Sequence, residues 1–179
     1  YTREIAEQLG FDICDVSPEY VEDKAALEGY CVLFVGGGID QRLSQTAKDY
    51  LCQWIQAGGV LIGFMPDNLD ELFGIEKASY IEQSPDDYTI SGYFSLLDDG
   101  IGKGVHSEIC PEDRLLIFSD IRIPSATDAI PIGHLFTPDI DSENTISIGP
   151  AITERSFGRG KAHYFSFDVP KTIWLLHQG

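Results

Sequence analysis

The sequence predicts an α/β fold with a parallel β-sheet, a β-rich insertion and a C-terminal hairpin. Two continuous apolar runs, at residues 30–35 and 60–65, are bounded by glycines and have the composition of strands buried on both faces. Segments with helical periodicity lie before and between these runs. Helices that alternate with strands in this way imply a parallel sheet joined by right-handed crossovers.

The first part of the chain supplies a helix, a strand, a second helix and a second strand. Residues 2–9 predict a helix that ends at Gly10, and "FDICDV" (11–16) predicts a strand. Ser17 as N-cap and Pro18 at the first helical position predict the next helix. "YCVLFV" (30–35) then predicts an interior strand that ends at the glycines 36–38.

The next unit repeats this pattern with clearer signals. Ser44 is a good N-cap for a helix that Gly58 and Gly59 end. The apolar residues of this helix share one face, at Ala47, Tyr50, Leu51, Trp54 and Ile55. "VLIGFM" (60–65) predicts another buried strand, which a turn joins to a short helix at "LDELF".

The second half of the sequence has a different pattern of predicted secondary structure. From about residue 79 to residue 150, short β-type runs are separated by acidic or proline-containing turns, which predicts an insertion over one end of the sheet. "AITERSFGRGKAHYFSFD" predicts a hairpin that turns at residues 158–160, and Pro170 opens a last helix. We find no linker or internal repeat, so residues 1–179 are predicted to form a single domain.

The order of strands suggests that one strand is missing. A fold of this kind normally opens with a strand, whereas this sequence opens with a helix. In the flavodoxin-like order the first strand is central, between the second and third strands. We therefore expect the first strand to lie upstream of Tyr1, in a larger protein from which this chain is excised. Its slot between residues 11–16 and 30–35 should be open unless another segment or chain fills it.

Composition excludes several classes of partner. The net charge is −17, from 29 acidic and 12 basic residues, which argues against binding to nucleic acid or to an anionic membrane. No apolar run is long enough to span a bilayer. The first residues resemble neither a signal peptide nor a transit peptide, which favours the cytoplasm but leaves the location open.

No metal or cofactor site is predicted. The four cysteines are dispersed and form no CxxC pair, and the four histidines form no HxH or HxxxH pair. "SFGRGK" lacks the spacing of a phosphate-binding loop and lies in a predicted hairpin rather than before a helix.

Four segments together resemble the class I glutamine amidotransferase-like fold: "FDICDVSPE", "YCVLFVGGG", "GGVLIGFMPDN…LFGI" and "AITERSFGRGKAHYFSFD". The likeness is to its non-catalytic branches, such as the trimerisation domain of family 42 β-galactosidases and related domains of bacterial carbohydrate-active proteins. The shared features are mostly structural glycines and buried strands, so they indicate a fold more than a function.

The catalytic residues of an active amidotransferase are missing. Such an enzyme needs a cysteine at the turn after the "VLIGFM" strand and a His-x-Glu pair near the C-terminus to activate it. Here Met65 and Pro66 are expected at the nucleophile's place, and His163 has no acid two residues on. Hydrolysis of glutamine is therefore not expected.

One edge of the predicted sheet remains a candidate ligand site. Ligands of open α/β sheets bind beyond the carboxyl ends of the strands. The candidate residues at that edge are Gly36, Gly37, Gly38, Asp40, Asp67, Asn68 and Asp168. Glycine amides beside carboxylates would suit a sugar hydroxyl or a cation. The alternative is structural: Asp67 or Asn68 caps the short helix, Asp168 caps the last helix, and the glycines form a tight turn.

The leading hypothesis is a non-catalytic accessory domain for assembly or domain packing in a larger bacterial protein. A glycan-processing context is implied by the resemblance alone. The expected partners are other domains of the same protein or further copies of the chain, with carbohydrate as a candidate ligand. The alternative is a hydrolase or a small-ligand domain that uses the strand edge described above.

Overall fold

The computed structural model describes residues 1–97, 114–126, 128–138 and 146–178. Its α-helices are α1 (Thr2–Gln8), α2 (Gln45–Gln56), α3 (Asp70–Phe73) and α4 (Val169–Gln178). Its strands are β1 (Val32–Gly36), β2 (Val60–Phe64), β3 (Ile75–Ile81), β4 (Gly92–Leu96), β5 (Leu115–Ile117), β6 (Ile121–Ala126), β7 (Ile130–Phe136), β8 (Gly149–Phe157) and β9 (Gly160–Phe165). None of the helices within these ranges is long and apolar enough to cross a membrane.

The main sheet is mixed, so the predicted flavodoxin-like parallel sheet is not confirmed. Its seven described strands follow the order β1-β2-β9-β8-β7-β4-β5. Among the described strands, β1, β2 and β9 run parallel to one another, and α2 is the crossover between β1 and β2. The strands from β9 to β5 pair antiparallel. The β8–β9 turn has two residues, and a connection this short joins only antiparallel strands.

Three described strands of the β-rich part of the chain extend the main sheet. β4, β5 and β7 continue the main sheet beyond β8. β3 and β6 pair with each other in a separate two-stranded ribbon. The sequence shows the short strands here, but alternation of apolar and polar residues does not reveal which strand is the neighbour.

The segment 11–16, predicted as a strand, has no regular secondary structure. β1, predicted as an interior strand, is at the edge of the sheet, and Val32 and Phe34 are 38% and 36% exposed. The predicted helix after Ser17 is two short 3₁₀ helices, Pro18–Glu22 and Lys24–Gly29, and the Ser17 hydroxyl accepts a hydrogen bond from Tyr20 N. A strand needs a paired neighbour for its backbone, and the described chain provides none on this side of β1.

The clearest predictions are confirmed. α2 begins after Ser44, whose hydroxyl accepts a hydrogen bond from Ala47 N at 3.2 Å. The hairpin turns at Gly158, where φ is +65°. The hairpin also packs closely on the end of α2, since a Cβ at Gly160 would lie 2.2 Å from the carbonyl oxygens of Gly59 and Ile55.

Two clusters of buried side chains form the core of the described part of the chain. The first lies between α2 and the parallel strands and includes Leu51, Ile55, Leu61, Phe73 and Tyr164. The second lies around the antiparallel strands and includes Ile117, Ile121, Leu135, Ile152 and Phe167. The first cluster includes residues of β2 and α3 and so holds the turn between them, beside which the candidate site lies.

Candidate functional site

The turn after β2 has the backbone of a strained strand-to-helix elbow. Met65 has a φ of +53°, and it is the sole non-glycine with a positive φ in the described part of the chain. For a residue with a Cβ, this left-handed conformation costs about 1–2 kcal/mol of free energy. Gly63 makes the tight turn possible, because a Cβ there would lie 2.5 Å from Phe73 and 2.7 Å from Pro66. The expectation that Met65 and Pro66 occupy the elbow therefore agrees with the geometry.

The carboxylate of Asp40 supports this elbow from the neighbouring loop. Its Oδ2 accepts hydrogen bonds from the backbone N–H of Asp67 at 2.8 Å and of Asn68 at 2.6 Å. The side-chain amide of Asn68 donates in return to the backbone oxygen of Asp40 at 3.1 Å. Asp40 is fully buried, and its Oδ1 has no hydrogen-bond partner among the described residues. Asp40 thus stabilises the turn and keeps one free acceptor.

The remaining candidates at this edge differ in role. Gln41 Nε2 donates to the exposed carboxylate of Asp67 at 3.1 Å. Gly37 N–H donates to the Phe64 oxygen at 2.9 Å, and a Cβ at Gly37 would lie 3.1 Å from the Met65 oxygen. Added Cβ atoms at Gly36 and Gly38 would meet nothing within 4 Å. The structure therefore brings the glycine loop, Asp40, Asp67 and Asn68 together at this edge.

Asp168 is occupied at the start of α4. Its carboxylate accepts from Lys171 N at 2.9 Å, its backbone oxygen accepts from Thr172 N, and its N–H donates to Ser119 Oγ. Within the described ranges no hydrogen bond joins Asp168 to Asp40, Asp67 or Asn68. The geometry gives Asp168 the capping role that was considered as the alternative, and whether this edge binds a ligand stays a prediction.

Sequence reasoning missed a buried arginine behind the elbow. Arg122 is 4% exposed and donates to Asp70 Oδ2 at 2.6 Å, to the Pro66 oxygen at 2.9 Å, and to the hydroxyls of Tyr80 at 2.9 Å and Tyr164 at 3.2 Å. Tyr164 donates back to the Arg122 backbone oxygen at 3.0 Å. The signal was a single cation in the apolar run "IRI", but its partners lie 42 to 56 residues away.

Burial and pairing act in opposite directions on this cluster. Burial works to lower the pKa of Arg122, but the hydrogen bond to Asp70 and the contacts with Tyr164 outweigh it and raise that pKa. Burial raises the pKa of Tyr164, although the Arg122 charge opposes the shift. Both side chains therefore keep their protons at neutral pH, and Arg122 remains a cation that holds the Pro66 end of the elbow.

No catalytic constellation surrounds the elbow in the described ranges. No cysteine, serine or histidine there forms a hydrogen bond with another such residue at the turn. His163 lies on β9 opposite Ile62, and its Nδ1 is 3.8 Å from Glu154 Oε2. Glu154 also pairs with Lys161 Nζ at 2.6 Å. The same ranges contain no group of three or more His, Cys, Asp or Glu residues arranged to hold a metal ion.

We expect His163 to make the stability of the fold depend on pH near neutrality. Burial lowers its pKa, Glu154 raises it, and Lys161 lowers it, with a net decrease below the usual value. The unfolded chain therefore binds this proton more readily, so the contribution of His163 to stability is complete above pH about 6.5 and is lost as the pH falls through the folded pKa. We expect the wild type to lose more unfolding free energy than His163→Gln between pH about 7.5 and about 5.5. Urea denaturation at both pH values measures the loss of unfolding free energy. An equal loss in the wild type and in His163→Gln would contradict the prediction.

The fold is similar to parts of several known structures. A β-galactosidase from Bacillus circulans sp. alkalophilus superposes with a TM-score of 0.56 and 15% identity over 88% of this chain and 23% of that chain. A GH42 β-galactosidase from G. stearothermophilus gives a TM-score of 0.54 and 14% identity over 88% of this chain and 22% of that chain. A cytoplasmic protein from Salmonella typhimurium gives a TM-score of 0.62 and 15% identity over 96% of this chain and 82% of that chain.

These likenesses establish a shared fold. The chain spans less than a quarter of the length of either β-galactosidase. No known protein-family profile matches the sequence, and no curated protein is significantly similar to it. The resemblance to family 42 β-galactosidases is thus supported at the level of the fold, whereas the amidotransferase-like fold is not confirmed. At 14–15% identity, the shared architecture is the conclusion that these comparisons allow.

Proposed function

We propose that this chain is a non-catalytic accessory domain of a larger bacterial protein, in which it serves assembly or domain packing. The observation that carries this proposal is the elbow. Met65 stands at the position where an enzyme with this turn would present a nucleophile, and Asp40 and Arg122 bind the backbone of the turn itself. The polar groups at the turn therefore work mainly to hold its shape.

The similarity to parts of β-galactosidases supports a place beside a glycan-processing module. In those proteins the matching region is less than a quarter of the chain. The resemblance to a trimerisation domain makes self-association or packing against a neighbouring domain the favoured role. On this proposal, residues 1–179 act as a single unit and bind neither nucleic acid nor membrane, as the net charge of −17 suggests.

A second candidate function is the binding of a small polyhydroxylated ligand, such as a sugar, at the carboxyl ends of β1 and β2. The observation that favours it is the buried Asp40 Oδ1, which lacks a partner among the described residues. Added Cβ atoms at Gly36 and Gly38 would meet nothing within 4 Å, so the glycine loop that precedes Asp40 has open space beside it. Asp67 and Asn68 are exposed beside it, whereas Asp168 is committed to α4.

Two assays on the purified chain test these candidates. With glutamine and nitrophenyl β-galactoside as substrates, we expect no ammonia or nitrophenol above the blank. Turnover that Asp40→Asn abolishes would overturn the non-catalytic proposal. In thermal melts we expect galactose and lactose to leave the melting temperature unchanged. A ligand present at about 100 times its dissociation constant would add about 2.7 kcal/mol of stability and so raise the melting temperature. A shift that Asp40→Asn removes would promote the ligand-binding candidate.

The assembly role is tested in the larger protein. Deletion of residues 1–179 is expected to change the mass measured by light scattering while the neighbouring module keeps its kcat on a small substrate. Retained mass together with lost turnover would assign the chemistry to this domain and contradict the proposal.

A further inference from the structure

β1 presents a row of backbone groups that no described residue pairs. It is the terminal strand of the sheet and its ladder runs to β2 alone. The oxygen of Cys31 accepts from Val60 N, and Gly37 N–H donates to the Phe64 oxygen, so the odd-numbered residues face β2. Backbone N–H and C=O groups alternate in direction along a strand. The backbone groups of Val32, Phe34 and Gly36 therefore face away from the sheet.

A cavity of about 540 Å³ lies along this free edge. Residues 29–36 form one wall, and residues 11–16 form the opposite wall. Side chains hold the opposite wall in place: Arg3 donates to Asp15 Oδ2 at 2.7 Å, and Cys14 Sγ is 3.1 Å from the Tyr30 hydroxyl. We call this space between residues 11–16 and β1 the edge slot.

The edge slot is lined by apolar side chains that remain exposed. Phe11 is 56% exposed, Ile39 is 49% exposed, and Val32 and Phe34 are 38% and 36% exposed. Phe34 stacks on Phe64 with ring centroids 6.1 Å apart, so the apolar face of the sheet continues up to the slot. Exposed apolar side chains beside unpaired strand backbone are the features that bind another strand.

We propose that the edge slot takes up one extended apolar strand of the same polypeptide, which runs parallel to β1 and leads directly into α1. The first residues of α1, Thr2 and Arg3, line the same cavity as Gly36 at the carboxyl end of β1. A strand that fills this cavity can therefore continue directly into α1, and the parallel pairing of β1 with β2 and of β2 with β9 favours the parallel direction. The volume suits a single short strand, typically about five residues long.

A second copy of the chain fits the edge slot less well. Of the described strands, the ones at the ends of the main sheet are β1 and β5, and each is attached to its own sheet on the other side. Such a strand would bring its sheet with it, whereas residues 11–16 close the slot on the side opposite β1. A free strand meets no such obstacle, and a strand–α1 connection back to residues 11–16 allows the right-handed crossover that parallel strands favour.

Amide hydrogen exchange tests the proposal directly. In residues 1–179 alone, the amides of Val32, Phe34 and Gly36 should exchange fast, while those of Leu33 and Val35 are protected by β2. When the chain is extended by about ten residues of its own preceding sequence, a strand plus its turn, the first three amides should slow at least about tenfold. A matched extension with two central residues replaced by proline, which cannot complete a ladder, should not slow them.

Three outcomes would overturn the proposal. One is fast exchange of these three amides in the extended chain. Another is slow exchange in residues 1–179 alone with a doubled mass by light scattering, which would assign the edge slot to a second copy. The last is equal protection by the proline-containing extension, which would show that the added residues act without forming a strand. None of these results depends on whether the domain is catalytic, so the proposed function stands or fails separately.

Discussion

Replacing Arg122 by methionine is expected to lower the free energy of unfolding by about 3–5 kcal/mol, the usual result of removing one partner of a buried ion pair. The substitution removes the four side-chain donations to Asp70, Pro66, Tyr80 and Tyr164. It also leaves Asp70 without its cation, although that carboxylate is 30% exposed, which places the effect at the lower end of the range. Chemical denaturation measures the loss, and the melting temperature should fall by about 10 °C.

Two further variants separate this network from the general effect of losing an arginine. Arg42 is 61% exposed and lies 3.8 Å from Glu19, so Arg42→Met should change stability by no more than about 0.5 kcal/mol. Arg122→Lys keeps the charge but cannot reach Asp70, Pro66 and both tyrosines at once, so it should fall between the wild type and Arg122→Met. Equal stability of Arg122→Met and Arg42→Met would refute a structural role for the buried cation.

Replacing Asp40 by alanine should cost about 2–4 kcal/mol, because the N–H groups of Asp67 and Asn68 lose a charged acceptor in a partly buried turn. Asp40→Asn keeps a side-chain oxygen that can accept these bonds and should cost less than half as much. The strained φ of Met65 makes the elbow sensitive to this loss, since its conformation depends on the surrounding contacts.

Asp67→Ala is the matched control for Asp40→Ala. The Asp67 side chain is exposed and its hydrogen bonds come from Gln41, so its loss should cost less than about 1 kcal/mol. Urea denaturation of the three variants provides the comparison. If Asp40→Ala proves as stable as the wild type, Asp40 does not hold the turn, and the ligand-binding candidate gains support.

The loops after β1 and β2 differ from the connection after β9, and this difference explains why the candidate site was only partly predictable. The glycines after β1 and the polar residues after β2 follow adjacent parallel strands, and the sequence alone places them at one edge. Asp168 follows β9, but its carboxylate is used within the first turn of α4. Whether a carboxylate caps its own helix or faces a cleft depends on backbone directions that residue types do not encode.

The sequence by itself determined the local elements whose signals are short-range. Ser44 and the apolar face of α2 specify a helix, and Gly158 specifies the β8–β9 turn, because capping and left-handed backbone depend on adjacent residues. The strand order, the edge position of β1 and the network around Arg122 were decided by the tertiary structure. Each joins groups far apart in sequence, and apolar runs such as "FDICDV" become strands only where a neighbouring strand completes their hydrogen bonds.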